Sequence, residues 1–195
     1  MATTIVMVRH GETDWNRERR FQGHADVPLN EAGRSQVREL AERLFGESFS
    51  LAYTSPLRRA SESAEILAAQ LGFEVRPSEA LKEVDVGSWS GLTTPEVEAR
   101  FPDGYRRWVD WRVAGWDDGE SYEVLGRRVV AGLYEIAERH PDEHLLAVTH
   151  GGPIRSAMAA ALMLSLDEIG AAMGALENCA VVRLAVRNGG LEAVH

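Results

Sequence analysis

Short apolar runs alternate along this chain with longer stretches in which apolar side chains recur every three or four positions. The runs are Ile5-Val6-Met7-Val8, Leu51-Ala52-Tyr53-Thr54, Phe73-Glu74-Val75, Leu145-Leu146-Ala147-Val148 and the segment 179–186. Apolar runs this short predict strands, most of them buried on both faces. The longer stretches predict helices. Val37, Leu40, Ala41 and Leu44 share a face of a segment that Asn30 caps and Gly46 closes. Ala60, Ala64, Leu67 and Leu71 share a face of a helix opened by Ser55-Pro56 and ended at Gly72. Val129, Leu133, Ile136 and Ala137 do the same between Ser121 and Arg139. Further helices are predicted from Pro153 to about Met163 and over 167–173. The residues between the first strand and Pro28 read as a polar loop. From 82 to 120, Gly87, Gly91, Pro95, Pro102, Gly104, Gly115 and Gly119 break the pattern, leaving short helical pieces at 94–100 and 105–111.

Strands alternating with helices predict an α/β fold: a three-layer α/β/α sandwich around a mainly parallel central sheet. The 195 residues show no repeat and no linker, so one domain over 1–195 is expected, with a lid-like irregular subdomain at about 82–122. No apolar run approaches the roughly 18 residues of a membrane span, and the chain enters its first strand at once. No membrane partner is expected. The single cysteine, Cys179, excludes an internal disulfide framework and fits a reducing cytoplasm; it reads as a small buried residue on a strand. The net charge of −9 argues against nucleic acid as a partner. Its distribution is uneven. Residues 1–60 carry nine arginines against eight acids, and the rest of the chain twelve basic residues against twenty-two acids. A local positive pocket on an acidic protein is therefore possible in the first third of the chain. A homodimer is compatible with the sequence.

That pocket has a candidate. Arg9-His10-Gly11-Glu12-Thr13 follows the first strand, and Thr149-His150-Gly151-Gly152-Pro153 follows the strand at 145–149. A histidine after an arginine and before a glycine, at a strand end, suits attack on phosphorus. The arginine offsets phosphate charge and the glycine lets the backbone approach an anion closely. Two strand ends delivering a histidine each to one crevice form an active-site pattern for an open α/β sheet.

With both motifs in place, the chain resembles the histidine phosphatase superfamily, the phosphoglycerate mutase-like fold, over essentially its whole length. Besides the two histidine segments, the resemblance runs through Asn16, Phe21-Gln22-Gly23, Asp26 to Asn30 and Gly33. It continues in Ser55-Pro56-Leu57-Arg58-Arg59-Ala60, the stretch from Leu81 to Gly91, and Gly119-Glu120-Ser121.

The resemblance implies roles that chemistry makes specific. A phosphate monoester is nearly dianionic, so a neutral imidazole is a suitable nucleophile; His10 takes that role and forms a phosphohistidine. Arg9 and Arg58 are the expected guanidinium forks on phosphate, Arg58 in the first turn of its helix. Arg59 reads as an exposed helix arginine. His150 is expected to donate to a phosphate oxygen, as the imidazolium when substrate is bound, with Gly151 supplying backbone donors beside it. Glu83 is the expected acid for the leaving alkoxide, and must keep its proton near pH 7 until it does so; Asp85 is its nearest rival. Asn16, Gln22, Gly11 and Gly23 are assigned to phosphate or substrate contact, and Thr13 to capping the loop. Glu12 is expected to orient a histidine or arginine, and His24 to face solvent. No metal-ligand spacing is present, and neither a metal nor another cofactor is expected.

The aromatic residues Phe101, Tyr105, Trp108, Trp111, Trp116 and Tyr122 fit packing of a subdomain against the core, or a lid whose rings face substrate. The acid segment looks like that of the small phosphatases, and the chain ends soon after its last predicted strand. The reading is therefore a metal-independent phosphatase of small monoesters. The alternatives are a cofactor-dependent phosphoglycerate mutase, a non-catalytic phosphate-binding module and a metal-dependent hydrolase. The physiological substrate is not selected.

Overall fold

In the computed structural model, which describes residues 2–111, 114–187 and 190–194, side-chain alternation along the central strands divides the interior into two cores. Among the described residues six strands form one sheet, ordered β3-β2-β4-β1-β5-β6. They are β1 (Thr3–Arg9), β2 (Leu51–Thr54), β3 (Glu74–Pro77), β4 (His144–Thr149), β5 (Val181–Arg187) and β6 (Gly190–Val194). The first four run parallel; β5 pairs antiparallel with β1 at the sheet's other side, and β6 pairs antiparallel with β5.

Because strand side chains alternate faces, Val6, Val8, Ala52, Leu146 and Val148 point one way, onto helices α2 (Glu31–Arg43) and α3 (Arg58–Leu71). Ile5, Met7, Tyr53, Leu145 and Ala147 point the other way. There they meet α6 (Tyr122–Arg139), α7 (Gly151–Leu162) and the segment around Trp89. Both faces of β1 and β4 are thus covered, as their unbroken apolar runs require. A short α1 (Asp14–Arg17), α4 (Thr94–Arg100), α5 (Pro102–Trp111) and α8 (Leu166–Met173) complete the set, with two single 3-10 turns at Glu79–Leu81 and Gly87–Trp89. The three-layer sandwich is as expected from the sequence.

Three local differences have simple causes. The polar loop after β1 contains α1, held by a reciprocal cap between Thr13 and Asn16. The chain ends in a sixth strand, β6, whose pairing with β5 supplies what its weak pattern does not. Helix α7 begins at Gly151, two residues before Pro153; proline in a first turn loses no helical hydrogen bond.

The parallel register fixes the site. Val8 lies opposite Val148 and Arg9 opposite Thr149, so the next residues, His10 and His150, leave the sheet side by side. Neighbouring β2 ends at Thr54 and delivers Ser55 and α3 to the same edge. The backbone is tight here. A β-carbon on Gly11 would fall 2.5 Å from the Gly33 carbonyl oxygen, and one on Gly33 would fall 2.1 Å from the Glu12 oxygen. Only glycine at both positions allows the loop after β1 to lie on the start of α2.

Candidate active site

His10 is 2% exposed and its Nδ1 lies 2.6 Å from the carbonyl oxygen of Gly11. A carbonyl only accepts, so Nδ1 carries the proton and Nε2 is left bare, the tautomer a nucleophile needs. Burial, then the charges of Arg59 and Arg9, holds the imidazole well below the ordinary histidine pKa, against the pull of the Gly11 carbonyl. His10 is therefore neutral at pH 7. Its main chain is fixed too: His10 N donates to Thr149 O at 3.0 Å, and Asn178 Nδ2 donates to His10 O at 3.0 Å.

His150 is fully buried, its ring edge-on to His10 with centroids 5.1 Å apart. Arg59 Nε donates to its Nδ1 at 3.2 Å, so the proton sits on Nε2, which donates to Ser55 Oγ at 2.7 Å. Burial, then Arg59, His10 and Arg9, pushes this group well below the ordinary range as well. In this geometry His150 stands neutral, with both nitrogens engaged on protein groups; the imidazolium is the expectation for the substrate-bound form.

The second arginine of the site is Arg59, not Arg58. Arg58 has a side chain 57% exposed and pairs with Glu62 one turn on, Nε to Oε1 3.1 Å. Arg59 is 1% exposed. Besides His150, it donates from Nη1 to Ala25 O and from Nη2 to Gly23 O, both at 2.9 Å. Each terminal nitrogen keeps one further N–H in a side chain that lines the cavity. Burial lowers its pKa to about 10, with Glu83 opposing and Arg9 reinforcing the shift, so it stays charged at neutral pH. Helical spacing carried the signal. Arg59 precedes Ala60 and stands one turn before Ser63, on the edge of the buried face, whereas Arg58 aligns with Glu62 on the outer face.

Arg9 also lines the cavity. Its Nη1 donates to Leu176 O, and its buried Nε has no hydrogen-bond partner among the described residues. Burial lowers its pKa, an effect Glu83 opposes and Arg155 reinforces. Glu83 projects from the loop after β3. Its Oε1 accepts from Val84 N at 2.9 Å and from Gly152 N, in the first turn of α7, at 3.1 Å. The rival Asp85 turns away and caps Gly87 N at 3.0 Å.

The remaining expectations divide. Gln22, Gly23 and Gly151 line the cavity; Asn16 and Gly11 do not. Asn16 Oδ1 accepts from Thr13 N and from Asn178 Nδ2, and Gly11 N donates to Ser63 Oγ. These two therefore shape the loop around His10. Glu12 accepts from Asn30 Nδ2 at 2.8 Å, so it holds the cap of α2 instead of a histidine or arginine. His24, expected in solvent, donates from Nε2 to Glu83 O at 2.8 Å with Nδ1 3.9 Å from Asp85. No sequence spacing announces that contact, because it depends on how two loops meet.

The cavity holds about 930 Å³. Phe21, Trp108, Trp116 and Tyr122 form an aromatic wall, while Phe101, like Trp108 and Trp116, packs on the buried Trp89. The two readings of the aromatic segment thus divide by residue. The side chain of Trp111 lies outside the described residues.

The site can therefore present a neutral nucleophile, two guanidinium groups and a carboxyl group to one phosphate ester. Residues 5–195 match the family model of the histidine phosphatase superfamily, branch 1. The chain is 44% identical over 158 residues to phosphoglycerate mutase-like protein 4 of Arabidopsis thaliana, covering 78% of this chain and 68% of that one. It is 34% identical over 165 residues to phosphoserine phosphatase 1 of Hydrogenobacter thermophilus, covering 84% and 78%. The solved structure of Bacillus stearothermophilus YhfR superposes with a TM-score of 0.91 at 32% identity, over 99% of this chain and 96% of that one.

Proposed function

The chain belongs to the histidine phosphatase superfamily, and from that premise we propose that it hydrolyses small phosphate monoesters through a phosphohistidine on His10. The observation that carries the reading is the His10 tautomer: Nδ1 is bound to the Gly11 carbonyl and Nε2 is bare in a cavity lined by Arg9, Arg59 and Glu83.

The residues divide the work as follows. Arg9 and Arg59 offset the charge of the phosphoryl oxygens through the N–H groups they retain. His10 Nε2 attacks phosphorus as the ester P–O bond breaks, and Glu83 gives its proton to the departing alkoxide. Glu83, now a carboxylate, takes a proton from water; that water attacks phosphorus, the N–P bond breaks, and phosphate leaves with His10 neutral again. His150 acts through Arg59, whose Nε it fixes, so the fork cannot rotate away. The name of the Hydrogenobacter thermophilus relative supports small phosphorylated metabolites, phosphoserine among them, as the substrate class.

The test is hydrolysis of p-nitrophenyl phosphate and a panel of phosphorylated metabolites, with vanadate and with EDTA, by wild type and His10→Ala. We expect activity that vanadate blocks, that EDTA spares and that the substitution abolishes. An alkali-stable, acid-labile phosphoenzyme should be trapped on wild type alone. Full turnover by His10→Ala would overturn the nucleophile. Faster isomerisation of 3-phosphoglycerate than hydrolysis of any ester would make the protein a mutase.

A further inference from the structure

Arg155 is a cation in the cavity that the steps above leave unused. It stands on the first turns of α7, half-buried, and lines the same cavity as Arg9, Arg59 and Gly151. Its Nη2 donates to Gly174 O at 2.6 Å, and among the described residues it has no other hydrogen bond and no carboxylate within ion-pair distance. Asp110 and Asp167 line the cavity too, but neither pairs with it. Arg20, the remaining guanidinium of the wall among the described residues, is taken up by Glu18, Glu96 and the Gly91 carbonyl. Arg155 Nη1 lies over the start of α7, where a β-carbon on Gly151 would come within 3.6 Å of it. It is near enough to the nucleophile's arginine for its charge to act on Arg9.

We propose that Arg155 is a specificity residue that binds a carboxylate carried by the substrate a few bonds from the phosphate. The inference rests on the phosphatase reading above. A guanidinium has five N–H donors in a planar fork that matches a carboxylate, and here only one donor is committed. A cation lining a cavity without a protein counter-ion favours a ligand that brings one. The phosphate is met at Arg9, His10 and Arg59, so an ester bearing two anionic groups spans the cavity between those residues and Arg155. Small phosphorylated hydroxy acids and amino acids have that form.

Two substrate pairs isolate the carboxylate. Phosphoserine differs from phosphoethanolamine only in carrying it, and 3-phosphoglycerate has it where glycerol 3-phosphate has a hydroxymethyl group. The measurement is kcat/KM on all four esters for wild type, Arg155→Gln and Arg155→Lys, with circular dichroism and melting to establish folding. Wild type should prefer the acid of each pair by roughly ten- to hundredfold, the range of a charge-assisted hydrogen bond. In Arg155→Gln that ratio should collapse toward unity, mainly through KM, and Arg155→Lys should restore part of it. Loss of the Gly174 tie alone would slow both members of a pair alike and leave the ratio intact, which overturns the proposal. A wild type that hydrolyses all four esters without preference also overturns it. Hydrolysis of no ester at all defeats the phosphatase reading itself, and this inference with it.

Discussion

Arg128 and Glu120 meet in a two-point ion pair, Nε to Oε1 at 3.0 Å and Nη2 to Oε2 at 2.6 Å, and the pair anchors the loop that carries Glu83. The remaining donors of Arg128 reach the carbonyls of Ala80 at 2.9 Å, Lys82 at 3.1 Å and, more distantly, Glu79 and Glu83. Lysine keeps the charge but cannot serve two carboxylate oxygens and four carbonyls in one plane. Arg128→Lys should therefore fold, with about 1–2 kcal/mol lost in urea unfolding, and lower kcat about tenfold while KM changes less than threefold. Because it acts through Glu83, alkyl phosphates, which need the proton most, should lose more than p-nitrophenyl phosphate. A normal kcat on both kinds of ester would show that the loop holds its shape without the fork.

Gly152 gives a sharper probe of the same carboxyl group. A β-carbon there would fall 2.2 Å from Glu83 Oε1 and 3.1 Å from a methyl of Leu125. The nearest atom is the end of a side chain, so the fold can yield and the acid cannot stay. Gly152→Ala should melt within a few degrees of wild type and lose about 10²–10⁴ in kcat, the contribution of a positioned acid. Esters with good leaving groups, such as p-nitrophenyl phosphate, need the proton least and should suffer least. Equal losses on p-nitrophenyl and alkyl phosphates would mean that Gly152 matters for some other reason.

The pair Arg58 and Arg59 separates surface from site. Arg58→Ala removes an exposed i,i+4 ion pair, worth about 0.3–0.5 kcal/mol, and should leave kcat and KM near wild type. Arg59→Met fills similar space but removes a charge that bridges His150, Gly23 and Ala25. Its kcat/KM should fall at least 10²-fold, the scale of lost transition-state charge stabilisation. Substantial activity in Arg59→Met beside a dead Arg58→Ala would reverse the assignment made from burial.

What could be read in advance follows the range of the interactions. The apolar runs of β1 and β4 place Arg9, His10, His150 and Gly151 at two strand ends, and topology then brings them together. Arg59 was within reach of helical periodicity, because Ala60, Ala64 and Leu67 define the buried face on which it borders. His24, Arg128 and Glu12 were not, since each reaches a partner on a separate loop or helix. The neutral state of His150 also lay beyond the chain pattern. It arises from burial and from cations that sit close by only in the fold.

The two buried histidines make stability depend on pH in a direction that can be worked out. Both have folded pKa values well below the ordinary 6.5, chiefly through burial. Below that value the unfolded chain takes up protons that the native state refuses, so stability is full above the ordinary histidine range and is lost as pH falls through it. Each group contributes a slope of about 1.4 kcal/mol per pH unit between its unfolded and folded values. Urea unfolding of wild type at pH 7.5, 6.5 and 5.5 should show the fall concentrated in the last interval. His10→Gln removes one of the two proton acceptors while leaving an amide that can still donate to the Gly11 carbonyl. Its slope between pH 6.5 and 5.5 should be shallower than that of wild type, whatever its stability at pH 7.5. Parallel slopes for the two proteins would mean that His10 is protonated as readily in the fold as outside it, and the neutral nucleophile would be lost with that result.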